Sequence, residues 1–156
     1  MYISPQESHY ISVLAGQGEL FMLSASVKNL AIRESVQPGD ILIGCKDDFQ
    51  QTAAHIAAKS GQKESIEKLA ELLDTDEKKK IYFNMANRFS GDRPTHTAMR
   101  HGYFDVLQAL VRHGADPTAK NRFGDAVVDY IGDYEPEDVQ RVVDDYKARM
   151  VVAGAR

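Results

Sequence analysis

Arg93–Lys120 reads RPTHTAMRHGYFDVLQALVRHGADPTAK and holds two helix-length apolar patterns, separated and closed by glycine. The first runs from Pro94 to His101 and stops at Gly102. Proline opens it at the one helical position where a missing N–H costs nothing. The second, Tyr103–His113, places Val106, Leu107, Leu110 and Val111 on one amphipathic stripe. Gly114 ends it, with Arg112 and His113 in the last turn, where positive charge suits the exposed carbonyls. A helix, a tight turn, a helix and a glycine stop make one supersecondary unit.

The unit recurs. Upstream, Thr52–Gly61 (TAAHIAAKSG) matches Arg93–Gly102 (RPTHTAMRHG) position for position in length, and Ile66 and Leu69 follow as an apolar stripe. Downstream, Gly124–Ile131 (GDAVVDYI) begins the pattern again. The step from position 96 to 129 is 33 residues, and from 55 to 96 it is 41. A period of 33 with one unit longer by eight indicates a stacked helical repeat.

These residues resemble the ankyrin repeat, whose signature is Gly-x-Thr-Pro-Leu-His-x-Ala-Ala-x-x-Gly, a second helix, then Gly-Ala-Asp. One unit carries Pro94, His96, Ala98, Gly102 and His113–Pro117 (HGADP); the preceding one carries Thr52, His55, Ala57, Ala58 and Gly61. No unit has the whole Thr-Pro-Leu-His: Ala53 replaces proline, Arg93 replaces threonine and Asp129 replaces histidine. Threonine at this place caps the first helix, so the cap is expected to pass to Asp92 and, in the last unit, to Asp125. The resemblance implies an all-α ankyrin solenoid with short β-hairpin fingers, divergent and less stable than a consensus stack. It covers 45–132 well and the two ends by pattern alone.

One domain is expected over 1–156, with repeats at about 4–36, 45–83, 86–118 and 119–149 and an insertion within 74–92. In the first repeat, Glu7–Ala15 reads as a helix capped by Ser4 with Glu7 three residues on. Gly16–Gly18 breaks it, and Leu20, Leu23, Val27 and Leu30 return at helical spacing. Ser8, His9, Ser12, Gln17 and Glu19 supply the polar outer side of a capping repeat. Gln37–Asp40 reads as a turn, Ile41–Ile43 as a strand-like run and 44–51 as a finger. Lys63–Leu73 is the next outer helix; in the insertion Lys78–Lys80 form a solvated face, while Ile81, Tyr82, Phe83 and Met85 are apolar enough to pack inward. Asp133–Pro136 is the last inter-helix turn. The final helix sets Val139, Val142, Val143 and Tyr146 on a dry face, and 150–156 is a frayed tail.

Composition excludes several functions. The net charge of −4 gives no electrostatic case for nucleic acid, which asks for a basic face, and the hydrophobic fraction of 43% is that of an ordinary globular chain. No run approaches a membrane span. A lone cysteine, Cys45, allows no internal disulfide, and Asp47 and Asp48 disfavour its thiolate. The cytoplasm is the default compartment; Met1–Pro5 has no signal-peptide character, and a removed leader leaves periplasm or export open. His55 and His96 hold the repeat's signature position, where the family bonds the ring to neighbouring backbone. His101 and His113 sit at glycine stops, without any zinc motif. Ala15–Gly18 is a fragment of a phosphate loop without its lysine, and no serine occupies a nucleophile elbow. No cofactor, metal or catalytic group is expected.

What remains is a surface. Carried over from the family residue by residue, the concave binding face takes Asp48, Phe49, Gln51, Lys59 and Ser60 from the second repeat. The third gives Phe89, Ser90, Asp92, Arg100 and His101; the fourth gives Arg122, Phe123 and Asp125. Phenylalanine recurs in all three fingers, one place out of register at Phe89 because of Ser90-Gly91. An exposed aromatic beside arginine is the composition of binding hot spots; the plain alternative is that each ring folds back between fingers. The expected function is non-enzymatic: a chain, monomeric alone, that binds a protein, as by sequestering or inhibiting an enzyme in self-protection or regulation. A secreted bacterial effector or adaptor engaging host proteins is the alternative. A hydrolase with its site in 74–92, built on Asp76, Glu77 and Asp92, is a third.

Overall fold

The computed structural model describes residues 1–130 and 135–154. They form α1 (Pro5–Gln17), α2 (Leu20–Glu34), α3 (Pro38–Gly44), α4 (Ala53–Lys59), α5 (Lys63–Leu72), α6 (Asp76–Phe83), α7 (Pro94–Arg100), α8 (Phe104–Arg112), a 3₁₀ turn at Val127–Asp129, and α9 (Pro136–Gly154). No described residue lies in a β-strand. The architecture is the expected helical solenoid, and its fingers are tight turns. An inner row runs α1, α4, α7 and the 3₁₀ turn; an outer row runs α2, α5, α8 and α9, with neighbours in contact along each row.

The local chemistry explains the rows. In α4, Ala53, Ala54, Ala57 and Ala58 are all buried, and side chains this small let α1 and α7 approach from either side. The outer helices bring the bulk: Leu23 and Val27 from α2, Ile66 and Leu69 from α5, Val106 and Leu110 from α8. Gly61, at φ +69°, turns the chain between α4 and α5, and a Cβ there would fall 2.6 Å from the Tyr103 ring. The expected box at α1 forms, with Ser4 Oγ accepting from Glu7 N at 3.2 Å and Glu7 accepting from Ser4 N at 2.8 Å. The helix runs on to Gln17, and Ser8, expected outside, is buried.

Ile41–Ile43 is not a strand but the second half of α3. Pro38 stands at its start and the Asp40 carboxylate accepts from Gln37 N at 3.2 Å, a helix opening that outweighs the β-propensity of two isoleucines. α3 packs against α6, and Lys78 joins them through Asp40 at 3.1 Å and Asp74 at 3.0 Å. The first two repeats therefore each carry a third helix, which lengthens the step from Gly18 to Gly61 to 43 residues and that from His55 to His96 to 41. Thr75 caps α6 by accepting from Lys78 N at 3.1 Å. Tyr82 and Phe83 are fully buried, but Ile81, expected inside, is half exposed because it falls on the opposite side of this short helix. Asn84 closes the third layer, donating to Gly114 O at 2.9 Å and accepting from Asp116 N at 2.8 Å.

The last repeat departs most from expectation. Among the described residues the pattern beginning at Gly124 yields only the 3₁₀ turn, and 131–134, with the first half of the expected Asp133–Pro136 turn, lie outside the described residues. Pro136 opens α9, which continues through 150–154 where a frayed tail was expected; 155–156 lie outside the described residues. Val139 and Val143 are buried in a second, smaller cluster with Met99, Leu107, Val111 and Val127, and Val142 and Tyr146 lie against it.

Candidate protein-binding face

Each finger opens on an Asp or Asn that folds the following turn onto its own side chain. Asp47 Oδ1 accepts from Phe49 N and Gln51 N, both at 2.9 Å. Asn87 Oδ1 accepts from Ser90 N at 2.9 Å and Gly91 N at 3.1 Å; Asn121 Oδ1 accepts from Phe123 N at 2.9 Å and Asp125 N at 3.0 Å. Fingers one (47–51), two (87–92) and three (121–125) are then bonded to one another. Arg88 N donates to Phe49 O, and Arg122 N donates to Ser90 O at 2.9 Å. The spacing of Asp47, Asn87 and Asn121 carried this signal, and the sequence reading missed it.

The fingers are tied to the helices below by the signature histidines. His55 Nδ1 accepts from Thr52 N at 3.1 Å and its Nε2 donates to Asp92 O at 2.9 Å; His96 repeats this with Arg93 N at 3.1 Å and Asp125 O at 2.9 Å. Each ring spans from the start of its own helix to the next finger, so it is structural. Burial holds both rings below their ordinary basicity. The caps expected from Asp92 and Asp125 do not form among the described residues: the Asp92 carboxylate is taken by Arg100 and Asn121, and the N–H groups of Arg93 and Ala126 go to His96 Nδ1 and to the Asp129 carboxylate.

The tips stand clear of the body. Phe49 is 56% exposed, Phe89 78% and Phe123 70%, so none folds back between fingers. Asp48, Lys59, Ser60, Arg100, His101 and Arg122 are exposed beside them; Gln51 and Asp125 are half-buried, and His101 Nδ1 turns back to Thr97 O at 2.9 Å. Two assigned residues do not belong to the surface. Ser90 is buried with its hydroxyl on Asn87 Oδ1 at 3.2 Å. Asp92 is 5% exposed, held by Arg100 Nη2 at 2.7 Å and Asn121 Nδ2 at 2.9 Å. A buried carboxylate requires such partners, and here they lock finger two to α7 and finger three. Tyr130, also missed, completes the lock: its hydroxyl accepts from Arg100 and Asn121, both at 3.2 Å, and its ring lies 5.6 Å from the guanidinium.

The chemistry elsewhere is quiet. Cys45 is buried and its thiol is pushed up to about 11 by that burial, with Glu7 adding to the shift and a bond from Ser8 opposing it; Asp47 and Asp48, invoked from sequence, are not the cause. Among the described residues no three His, Cys, Asp or Glu side chains converge as a metal site. No described helix is long and apolar enough to cross a membrane.

Comparison with known proteins agrees with this geometry. The family model for ankyrin repeats (3 copies) matches residues 21–121. The ankyrin repeat and LEM domain-containing protein 2 homolog of Caenorhabditis elegans is 31% identical over 125 residues, 67% of this chain but only 21% of that protein, so the chain spans about a fifth of its relative. A chain in the crystal structure of the yeast ribosomal protein Rps3 in complex with its chaperone Yar1 has the same fold, with a TM-score of 0.69, 24% identity and 95% of both chains covered. Matched over most of its length and built on the family's own histidine, glycine and finger geometry, this chain belongs to the ankyrin-repeat family.

Proposed function

We propose that the chain is a non-catalytic module that takes one protein partner on its finger and inner-helix face and masks part of that partner's surface. The observation that carries this is the row of three exposed phenylalanines on fingers bonded backbone to backbone. Exposed rings held on a rigid base lose little freedom on binding, which is how aromatic anchors come to dominate interfaces. A usual interface buries about 800 Å² per partner, a scale that suits the face of three repeats. Masking is favoured over catalysis because the carboxylates of 74–92 offer no poised acid and base: Asp76 and Glu77 are exposed, and Asp92 is already taken by Arg100 and Asn121. The solved complex of a ribosomal protein with its chaperone is a structural precedent for such a role. Sequestration or inhibition of an enzyme is the form of masking we favour.

Affinity capture from the native lysate tests this with wild type and Phe49→Ala/Phe89→Ala/Phe123→Ala, the variant first checked for folding by circular dichroism. A single protein retained by wild type and reduced at least about tenfold by the folded variant is expected. Equal retention by both would place binding elsewhere.

A further inference from the structure

We propose that fingers two and three receive an extended acidic segment that also bears apolar side chains. This rests on the protein-binding reading above and adds the chemistry of the partner. The net charge of the chain is −4, yet the finger row is not uniformly acidic. Finger one carries Asp47 and Asp48 beside Phe49, with Lys46 at its base, and so remains acidic, whereas finger two presents Arg88 beside Phe89, and finger three presents Arg122 beside Phe123 with Lys120 at its base. The side chains of Arg88, Lys120 and Arg122 make no ion pair among the described residues. Asp92, which would otherwise cancel one of these charges, is withdrawn into its bond with Arg100. The half-buried Asp125 is the one carboxylate left in these two fingers.

Spacing sets the register. Packed helices lie about 8–10 Å apart, and an extended chain rises about 3.3 Å per residue. A strand-like segment running along the row therefore meets successive fingers about every third residue. Carboxylates at that interval would meet Arg88 and Arg122, with apolar side chains beside them for Phe89 and Phe123. A nucleic acid is the other polyanion a basic–aromatic row could hold. It needs a basic track along its whole backbone, and here the track ends at Asp47 and Asp48. A short acidic run whose acidity stops before finger one fits the whole row.

Fluorescence anisotropy with defined probes tests this. One labelled peptide of roughly 12 residues carries Glu at every third position among Leu and Ser; its counterparts carry Gln or Lys in place of Glu, and the last probe is oligouridylate of similar length. The Glu peptide is expected to saturate, to weaken with added salt, and to bind at least about tenfold tighter than the others. Arg88→Glu/Arg122→Glu should reverse the order of the Glu and Lys peptides. Both side chains are exposed, and circular dichroism with Arg88→Gln/Arg122→Gln as a milder pair guards against misfolding. No saturation by about 1 mM, equal binding of the Lys or uridylate probe, or indifference to the charge reversal overturns the inference. A native partner lost by the triple phenylalanine variant yet kept by the charge-reversed one would leave the masking role standing and remove only its acidic partner. A partner kept by both would remove the masking face itself.

Discussion

His55 and His96 use both ring nitrogens on backbone, one accepting from the start of their own helix and one donating to the next finger. Asp129 holds the same place in the last repeat and accepts from Ala126 N at 2.7 Å. A carboxylate has an acceptor and no donor, so Asp129 keeps the first of the two bonds and cannot make the second. Protonating either histidine would put hydrogen on the nitrogen that must accept, and burial opposes the charge as well. The folded-state basicity is depressed, so as pH falls through the ordinary value of 6.5 the unfolded chain gains protons first. Stability is then full above that value and declines below it, with a slope approaching about 1.4 kcal/mol per pH unit for each ring. Urea midpoints at pH 7.5, 6.5 and 5.5 should fall in that order; a constant midpoint contradicts the neutral, doubly bonded rings. Gln50 offers a second residue-scale test. It turns finger one at φ +59°, where Gly91 and Gly124 turn the other two at +71° and +80°. A side chain in that left-handed region costs about 1–2 kcal/mol, and glycine's greater freedom when unfolded takes back roughly half. Gln50→Gly should therefore raise stability by up to about 1 kcal/mol, measured by thermal unfolding, and a clear loss would mean that the glutamine side chain supports the turn.

Among elements, α3 and α6 separate what periodicity reveals from what it hides. The paired inner and outer helices were legible because their signals are local: a repeated His, a glycine stop and an apolar stripe at helical spacing. The repeat places Phe49, Phe89 and Phe123 in the fingers, but it leaves open whether each ring stands out or folds back; their exposure is a property of the folded fingers. α3 was misread because Ile41–Ile43 carries too few residues to show a period, although Pro38 and Asp40 hold the opening of a helix. Asp92 was misplaced for a different reason: Arg100 and Asn121 reach it from two other elements, and no sequence spacing encodes such a meeting. The same lesson applies to 74–92, which reads as an insertion but is built into the core. Phe83→Ala should cost about 3–5 kcal/mol, as for other fully buried aromatics, because the ring sits edge-on to Tyr82 at 5.4 Å inside the main cluster. Ile81→Ala, two residues away on the exposed side, should cost less than about 1 kcal/mol. Chemical denaturation of the pair decides the point, and equal effects would mean that α6 does not present one dry face.

At the scale of the molecule, a stack of repeats holds together through neighbours alone, so its ends need not share the stability of its middle. The main cluster runs continuously from Ile11 in α1 to Leu110 in α8. α9 lies on the smaller cluster, where the inner row has shrunk to a single 3₁₀ turn. The helix is 19 residues long, yet Val139 and Val143 are its only described residues that are fully buried, and everything from Lys147 to Gly154 is exposed. The opening of α9 should therefore require less free energy than global unfolding, while α4 and α5, flanked on both sides, should open only with the whole. Native-state hydrogen exchange is expected to find the α9 amides at least about tenfold faster than the slowest amides of α4 and α5, a gap of roughly 1.4 kcal/mol or more. Low concentrations of urea should leave the α9 rates nearly constant and accelerate the central ones, because a local opening exposes little surface and a global one exposes much. Finger three joins finger two through Arg122 N and the Asp92–Asn121 bond, and its carbonyl at Asp125 is held by His96. Those attachments belong to the third repeat, so the Phe123 tip should stay in place when α9 opens. A partner bound across the fingers should then slow exchange in α4, α7 and the finger amides without slowing it in α9. Equal exchange in α9 and the central helices would mean instead that the four repeats unfold as one unit.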